Sequence, residues 1–339
     1  MTDSTRLGGF KVLKNVVRIS LFPPRELARF PLRLCTLLAE NRINLPYLTV
    51  LCDSGSWSIN IIVDVSDQEK TTSLIEETFG HVSVAHSKSA ILSVFPHRRN
   101  PEISGRLFEA FDQQGLDPDA FANSPSTISV IVREELLQSA SNALFEPFSF
   151  SAYRTPEDWK LAQSGKEELY KEVVASYQEK RPGIYGLEYQ EGQELIRLRI
   201  DRSGMAKVGS SFKSFARLGL NLTFLATSSS EDGLKENLAF CLPLSEGQTY
   251  RGAIKRLAPE LDIDTLSPVT TFSMNGPHFG DRYGIVSELL AALEQSDIRL
   301  LALSCTVASI TGIVHQDQTQ LTLQAIQESF DVPSVTRKE

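Results

Sequence analysis

The 339-residue sequence has no surplus of positive charge: 34 lysines and arginines stand against 42 aspartates and glutamates, a net charge of −8 at pH 7. Nucleic acid, whose phosphates demand a basic face, is therefore not an expected partner. No uninterrupted apolar run reaches the roughly 18 residues of a membrane span. The nearest approach, residues 300–314, is broken by Ser304, Thr306, Ser309 and Thr311, so no membrane partner is expected. The opening MTDSTRLGGFK lacks the apolar core of an export signal, and the expected location is the cytoplasm. Cys35, Cys52, Cys241 and Cys305 each sit among apolar neighbours, with no C-x-x-C pair. That spacing suits buried, reduced thiols, and no metal site is expected. Phosphate-cradling and dinucleotide-binding glycine fingerprints are missing, so no cofactor is expected. No Ser or Cys nucleophile stands in pattern with a histidine and an acid, so a catalytic triad is unsupported and no catalytic residue is assigned.

What is present is an ordinary globular composition, 41% apolar and 22% charged, spread over a length that predicts more than one core. The stretch Phe272 to His315 shows the pattern best. An apolar strand runs into a glycine-bearing loop, an amphipathic helix, another apolar strand, and a hairpin into a further one. Gly276, Gly280 and Gly284 let backbone N–H groups approach a ligand, and the helix opening at Gly284 favours an anion such as a carboxylate. Asp281 beside it suits a cationic amino group, so a zwitterion, an amino acid for example, fits the loop. Plain turn chemistry explains the same glycines.

The order strand, helix, strand, strand, helix, strand recurs. It begins with VVRISLF at Val16–Phe22, includes the helix from Gln68 to Phe79, and starts again at Ala90. Ser20-Leu21-Phe22-Pro23 returns as Ser93-Val94-Phe95-Pro96, and Asp201-Arg202-Ser203-Gly204-Met205 returns as Asp281-Arg282-Tyr283-Gly284-Ile285. The expected fold is α+β, with four ferredoxin-like βαββαβ modules in two tandem pairs joined by a connector helix. The modules are expected at 11–85, 86–152, 194–265 and 266–335, with the connector at 153–193. Thr155-Pro156-Glu157 supplies a capping residue, a first-turn proline and an acid for that helix, which is expected to run from Pro156 to about Tyr177.

These motifs resemble ACT domains, the small amino-acid-binding modules attached to metabolic enzymes. The D-R-x-G-[IM] loops are similar to the loop of many ACT domains. Ser124-Pro125-Ser126-Thr127-Ile128-Ser129-Val130 resembles a segment of aspartokinase regulatory domains. Gly219-Leu220-Asn221-Leu222-Thr223 is more weakly similar to the regulatory part of prephenate dehydratases. The lysine–phenylalanine–glycine–glycine opening of an aspartokinase catalytic domain is absent. The resemblance therefore implies a tandem ACT-domain protein without a catalytic domain. On that view it is a non-enzymatic regulator that binds a small amino acid or related metabolite between modules. It would signal to a partner, a metabolic enzyme or regulator, and act as a homodimer.

The ligand-binding residues expected on this reading form three sets. Asn275, Gly276, His278, Gly280, Asp281, Arg282, Gly284 and Ile285 make the loop, with Ser304 and Thr306 across the sheet edge. Asp201, Gly204 and Met205 are their equivalents in the third module, and His97, Asn123 and Ser126 in the second. Two other functions fit the same pattern. One is a ligand-free assembly platform built by sheet edges. The other is a small enzyme on a ferredoxin-like scaffold, with Arg98 and Asn123 converging on an anion.

Overall fold

Alternation along the strands decides which residues are buried where. In the strand Ser56–Asp64, Ile59, Ile61 and Val63 enter one core while Asn60 and Ile62 point the opposite way, so both faces are covered. The computed structural model describes residues 5–25, 27, 29–53, 56–80, 82–163, 181–201, 204–230, 235–257, 263–276, 279, 282–306 and 309–338.

In chain order the elements begin β1 (Thr5–Leu7), β2 (Gly9–Phe22), α1 (Phe30–Glu40), β3 (Tyr47–Asp53), β4 (Ser56–Asp64) and α2 (Gln68–Phe79). They continue as β5 (Ser83–Phe95), α3 (Pro101–Gln113), β6 (Ala120–Asn123), β7 (Ile128–Arg133), α4 (Leu137–Ala143), β8 (Phe148–Phe150) and α5 (Pro156–Gln163). The second half holds β9 (Gly186–Ile200), α6 (Gly204–Arg217), β10 (Phe224–Ser229), β11 (Glu236–Pro243) and α7 (Gly247–Leu257). It ends with β12 (Ile263–Asn275), α8 (Ile285–Gln295), β13 (Leu300–Thr306), β14 (Ser309–His315), α9 (Thr319–Ser329) and β15 (Val335–Arg337).

One mixed 13-stranded sheet unites nearly all the strands, in the order β11-β10-β6-β7-β5-β2-β4-β3-β13-β14-β12-β9-β15. Because β11 also pairs with β9, from Glu236↔Ile200 to Pro243↔Gln193, the strands other than β15 close into a ring. Two long antiparallel ladders, β2 with β5 and β9 with β12, form its longest pairings. The junctions between the chain's two halves are shorter: Ala302↔Leu51 to Cys305↔Leu48 on one side, and the single pair Ala226↔Ala122 on the other.

Helices cover the ring's outer face in two sets. Residues of α1, α2, α8 and α9 share one core with β2–β4 and β12–β14, built on Leu34, Leu38, Ile75, Leu289, Leu293 and Ile326. Residues of α3, α4, α6 and α7 share the second, around Phe108, Phe111, Phe212, Phe215 and Phe240. The inner face carries two smaller apolar patches, one around Phe224, Cys241 and Ile313, the other around Tyr47, Ile91 and Ile131. Buried hydroxyls and amides also lie there: Ser20 Oγ donates to Asn60 Oδ1 at 2.6 Å, and Ser93 and Ser129 meet at 3.1 Å. The repeated S-x-F-P motif thus places a serine on the inner face of each of two first strands.

The expected fold class is corrected on two counts. Four small ferredoxin-like modules are replaced by a single mixed 13-stranded sheet with the helices outside it. The tandem pairs are also absent, because the cores join the first part of the chain to the last and the second to the third. The physical reason lies in strand length. β5 and β12 each run 13 residues without interruption, so adjacent units share backbone ladders and neither closes a core alone. The boundaries expected near residues 85 and 265 fall inside those strands. Of the connector, α5 is described: Trp159 is buried against Phe10, rings 4.8 Å apart and stacked. Asp158 N–H donates to Thr155 Oγ1 at 3.1 Å, the cap the sequence suggested. Residues 164–180 lie outside the described residues.

Candidate functional site

Helices α1 and α8 run side by side, and a small open cleft with a cavity volume of about 20 Å³ lies between them. Cys35, Leu38 and Ala39 of α1 line one wall, Ile43 and Leu45 the floor, and Phe279 with residues 282–287 the other wall. Local geometry explains why glycine stands at two points beside it. A Cβ on Gly276 would fall 2.4 Å from the Phe279 ring, which is 2% exposed and fills the core there. Gly284 caps α8 at φ 91°, a left-handed conformation that L side chains rarely adopt. The first turn of α8, whose N–H groups have no intrahelical partner, lines the cleft together with Arg282, a positive charge. Thr36 and Ser287 join the two helices by a 3.0 Å hydrogen bond. Burial pushes the Cys35 thiol up to about 12, so this wall holds a neutral thiol. Burial also raises the Glu288 carboxyl, against the opposing pull of Arg282 and Arg181.

The structure brings Arg282, Gly284 and Ile285 of the expected set to the cleft wall, with Gly276 and Asn275 at the end of β12 behind it. Asn275 there accepts the Tyr185 N–H on its backbone oxygen at 2.7 Å. His278, Gly280 and Asp281 lie outside the described residues. Ser304 and Thr306 face away from the cleft, since Leu303 and Cys305 take the outward positions of β13. Ser304 Oγ donates to the Asn123 backbone oxygen at 3.2 Å, and Thr306 meets Ser309 at 3.3 Å.

The other expected residues are tied into the frame. Asp201 is exposed and its Oδ1 accepts the Gly204 N–H at 2.8 Å, a helix cap; Met205 is half-buried against the neighbouring core. His97 is fully buried, Nε2 against the Ser124 backbone oxygen, with Nδ1 unpartnered. Desolvation lowers it to about 4, so it is neutral at pH 7. Ser126 is exposed, though its backbone oxygen accepts the His97 N–H at 3.0 Å. Asn123 has spent its amide: Nδ2 donates to Leu222 O at 3.2 Å and Oδ1 accepts from Leu225 N at 2.6 Å. With Arg98 exposed and Asn123 occupied in this way, the two do not converge on an anion.

Sequence reasoning missed two charged groups inside the sheet. Glu194 is 0% exposed and receives Tyr250 and Arg251. Arg18 reaches Asp119 and, through Ser229, Glu236. The signal was a charged residue inside an apolar strand, in VVRISLF and again in QELIRLRI. Among the described residues no group of three or more His, Cys, Asp or Glu could hold a metal ion, and no helix is long and apolar enough to cross a membrane.

No family model matches the sequence, and no curated protein matches it. Among solved structures, the aspartate kinase from Synechocystis superposes on 96% of this chain with a TM-score of 0.78 at 15% identity. The chain spans 56% of that enzyme's length. The ligand-free regulatory subunit of aspartate kinase from Thermus thermophilus covers 44% of this chain, at 14% identity and a TM-score of 0.39, and this chain covers 99% of it. The Escherichia coli aspartokinase III complex with aspartate and ADP covers 45% of this chain and is covered over 35% of its own length, at 17% identity and a TM-score of 0.34.

At 15% identity the first match establishes the fold alone, one shared with 56% of an aspartate kinase chain. It corrects the expectation of a tandem ACT-domain protein without a catalytic domain, because what covers 96% of this chain is the structure of an enzyme. The expectations of a non-enzymatic regulatory protein, and of a chain that is not an enzyme, are corrected by the same match, because the protein superposed on is itself an enzyme.

Proposed function

We propose that this chain works in an amino-acid kinase of the aspartate-kinase type, and that the cleft between α1 and α8 receives a small amino acid. The observation that carries the reading is the superposition on an aspartate kinase over 96% of the chain at a TM-score of 0.78. The cleft's chemistry supports the second part. Helix N–H groups and the Arg282 guanidinium suit a carboxylate, and the apolar wall of Leu38, Ile43, Leu45 and Phe279 suits the carbon skeleton. His278 and Asp281, expected from the sequence as ligand-binding residues, belong to the same reading as partners for an ammonium group. A homodimer belongs to the same reading.

The test has two arms, both on the full gene product that carries this chain. ADP release from ATP on adding aspartate reads the kinase reaction. Calorimetric titration with aspartate and other small amino acids, on the native protein and on Ala39→Trp, reads the cleft. Expected are aspartate-dependent ADP release and an amino-acid signal that the cleft-filling variant loses. Binding without ADP release refutes the kinase assignment, and binding unchanged in Ala39→Trp refutes the cleft.

A further inference from the structure

Inside the ring, the β10–β11 hairpin leans across β2. Arg18 of β2 donates from Nε to Ser87 Oγ at 3.2 Å and from Nη1 to Ser229 Oγ at 3.3 Å and to the Asp119 backbone oxygen at 3.4 Å. Its Nη2 lies 3.6 Å from Asp119 Oδ1, and Ser87 Oγ closes the circuit onto Asp119 Oδ2 at 3.3 Å. Ser229 Oγ–H donates onward to Glu236 Oε1 at 3.0 Å, and Ser58 Oγ holds the Ser229 backbone oxygen at 3.3 Å. Four parts of the sequence, far apart in the chain, meet at this one guanidinium.

The charges do not balance. From β2 comes Arg18; from the turn before β6 come Asp117 and Asp119; from β11 comes Glu236; Arg133 at the end of β7 acts on Asp119 and pairs with Glu135 at 2.8 Å. The fully buried phenol of Tyr47 faces the cluster from β3, its ionisation pushed up by burial. Arg18 is engaged by Asp119, and Glu236 Oε2 is buried with no hydrogen-bond partner among the described residues. A second carboxylate there, half-buried as a residue but with Oε2 shut off from solvent, pays desolvation with no second cation paired to it among the described residues. The neutral acid avoids that cost while Ser229 still bridges.

We propose that Glu236, Ser229, Arg18 and Asp119 form a proton-operated latch that fastens the β10–β11 hairpin to β2 while Glu236 is protonated and loosens it when the proton leaves. Burial holds the Glu236 carboxyl at about 7, against the opposing pulls of Ser229 and Arg18 and with Asp117 and Asp119 reinforcing it, so the latch works near neutral pH. Hairpin opening restores an ordinary carboxyl, which loses its proton more easily; opening therefore becomes easier as pH rises.

Hydrogen exchange tests this on the intact protein, with protection factors corrected for the intrinsic pH dependence of amide exchange. Protection of the β10 and β11 amides should fall about 10-fold between pH 6 and pH 8. Glu236→Gln should hold that protection constant over the same range. Asp119→Asn keeps the titrating acid but removes the competing charge, so the fall should end at a lower pH than in the native protein. Native protection that does not change with pH overturns the latch. So does an equal fall in Glu236→Gln, and so does an Asp119→Asn profile that does not move.

Discussion

Substituting Gly105 by alanine tests how the second and third parts of the chain are joined. In α3 an added Cβ at this position would stand 2.5 Å from the backbone oxygen of Gly209, 2.9 Å from Lys213 Cγ and 3.2 Å from Lys213 N, all on α6. The approach is reciprocal, since a Cβ on Gly209 would lie 2.9 Å from the Gly105 oxygen. A backbone oxygen cannot swing aside, so the helices must separate. Separation loosens the Phe108–Phe212 ring pair at 5.7 Å, and it stretches the Glu109 contacts to Ser210 at 3.0 Å and Lys213 at 2.7 Å. Overpacking of this kind costs about 1–3 kcal/mol, while alanine's helix advantage over glycine returns about 1 kcal/mol. The clash is with backbone on both sides, so the loss dominates and a net destabilisation of about 1–2 kcal/mol is expected. Gly252→Ala in α7 is the matched control: nothing lies within 4 Å of the added Cβ, and a gain of about 0.5–1 kcal/mol is expected. Urea unfolding followed by circular dichroism measures both. A Gly105→Ala protein as stable as the native one, beside a Gly252→Ala that gains, refutes the backbone-to-backbone crossing.

Other outcomes follow from the same structure. The Glu236 carboxyl is raised from 4.5 to about 7 in the folded chain, so the native state binds the extra proton. Its contribution is fully present below pH 4.5 and is lost as pH climbs to about 7, a fall of about 3 kcal/mol that urea titrations at pH 5 and pH 8 should show and Glu236→Gln should abolish. Trp159→Ala removes the side chain stacked on Phe10 and should cost about 3 kcal/mol, read by the same unfolding curves. Asn123→Ala strands the Leu225 N–H and the Leu222 carbonyl inside the sheet and should cost about 2–4 kcal/mol. Cys35 and Cys305, both held near 12 by burial, should resist alkylation in the folded protein and react once it is unfolded.

Local patterning made single elements legible. The helix expected from Gln68 to Phe79 is α2 with the same bounds, and the apolar runs after residue 299 are β13 and β14. Half of β2 was visible as VVRISLF; its first half, GFKVLKN, hides because Lys11, Leu13, Lys14 and Asn15 are exposed and break the apolar alternation of a strand that pairs there with β5 alone. Association was not legible. The seam between β10 and β6 rests on one register pair between two alanines, and no periodicity marks it. Small inward residues such as Ser20, Ser93 and Ser129 read as polar punctuation in sequence but are the buried seam of the ring. In the cleft, glycine chemistry pointed to Gly276 and Gly284. The partnering wall of Leu38, Ile43 and Leu45 comes from some 240 residues away, beyond any local pattern.

The central proposal is that this chain serves an amino-acid kinase. Incubating the full gene product with ATP and aspartate in the presence of hydroxylamine, which displaces phosphate from an acyl phosphate and leaves a hydroxamate, tests it most directly. The account predicts hydroxamate whose formation depends on both ATP and aspartate. A protein that binds amino acids in the α1–α8 cleft yet forms no hydroxamate, at any amino-acid concentration, would contradict it.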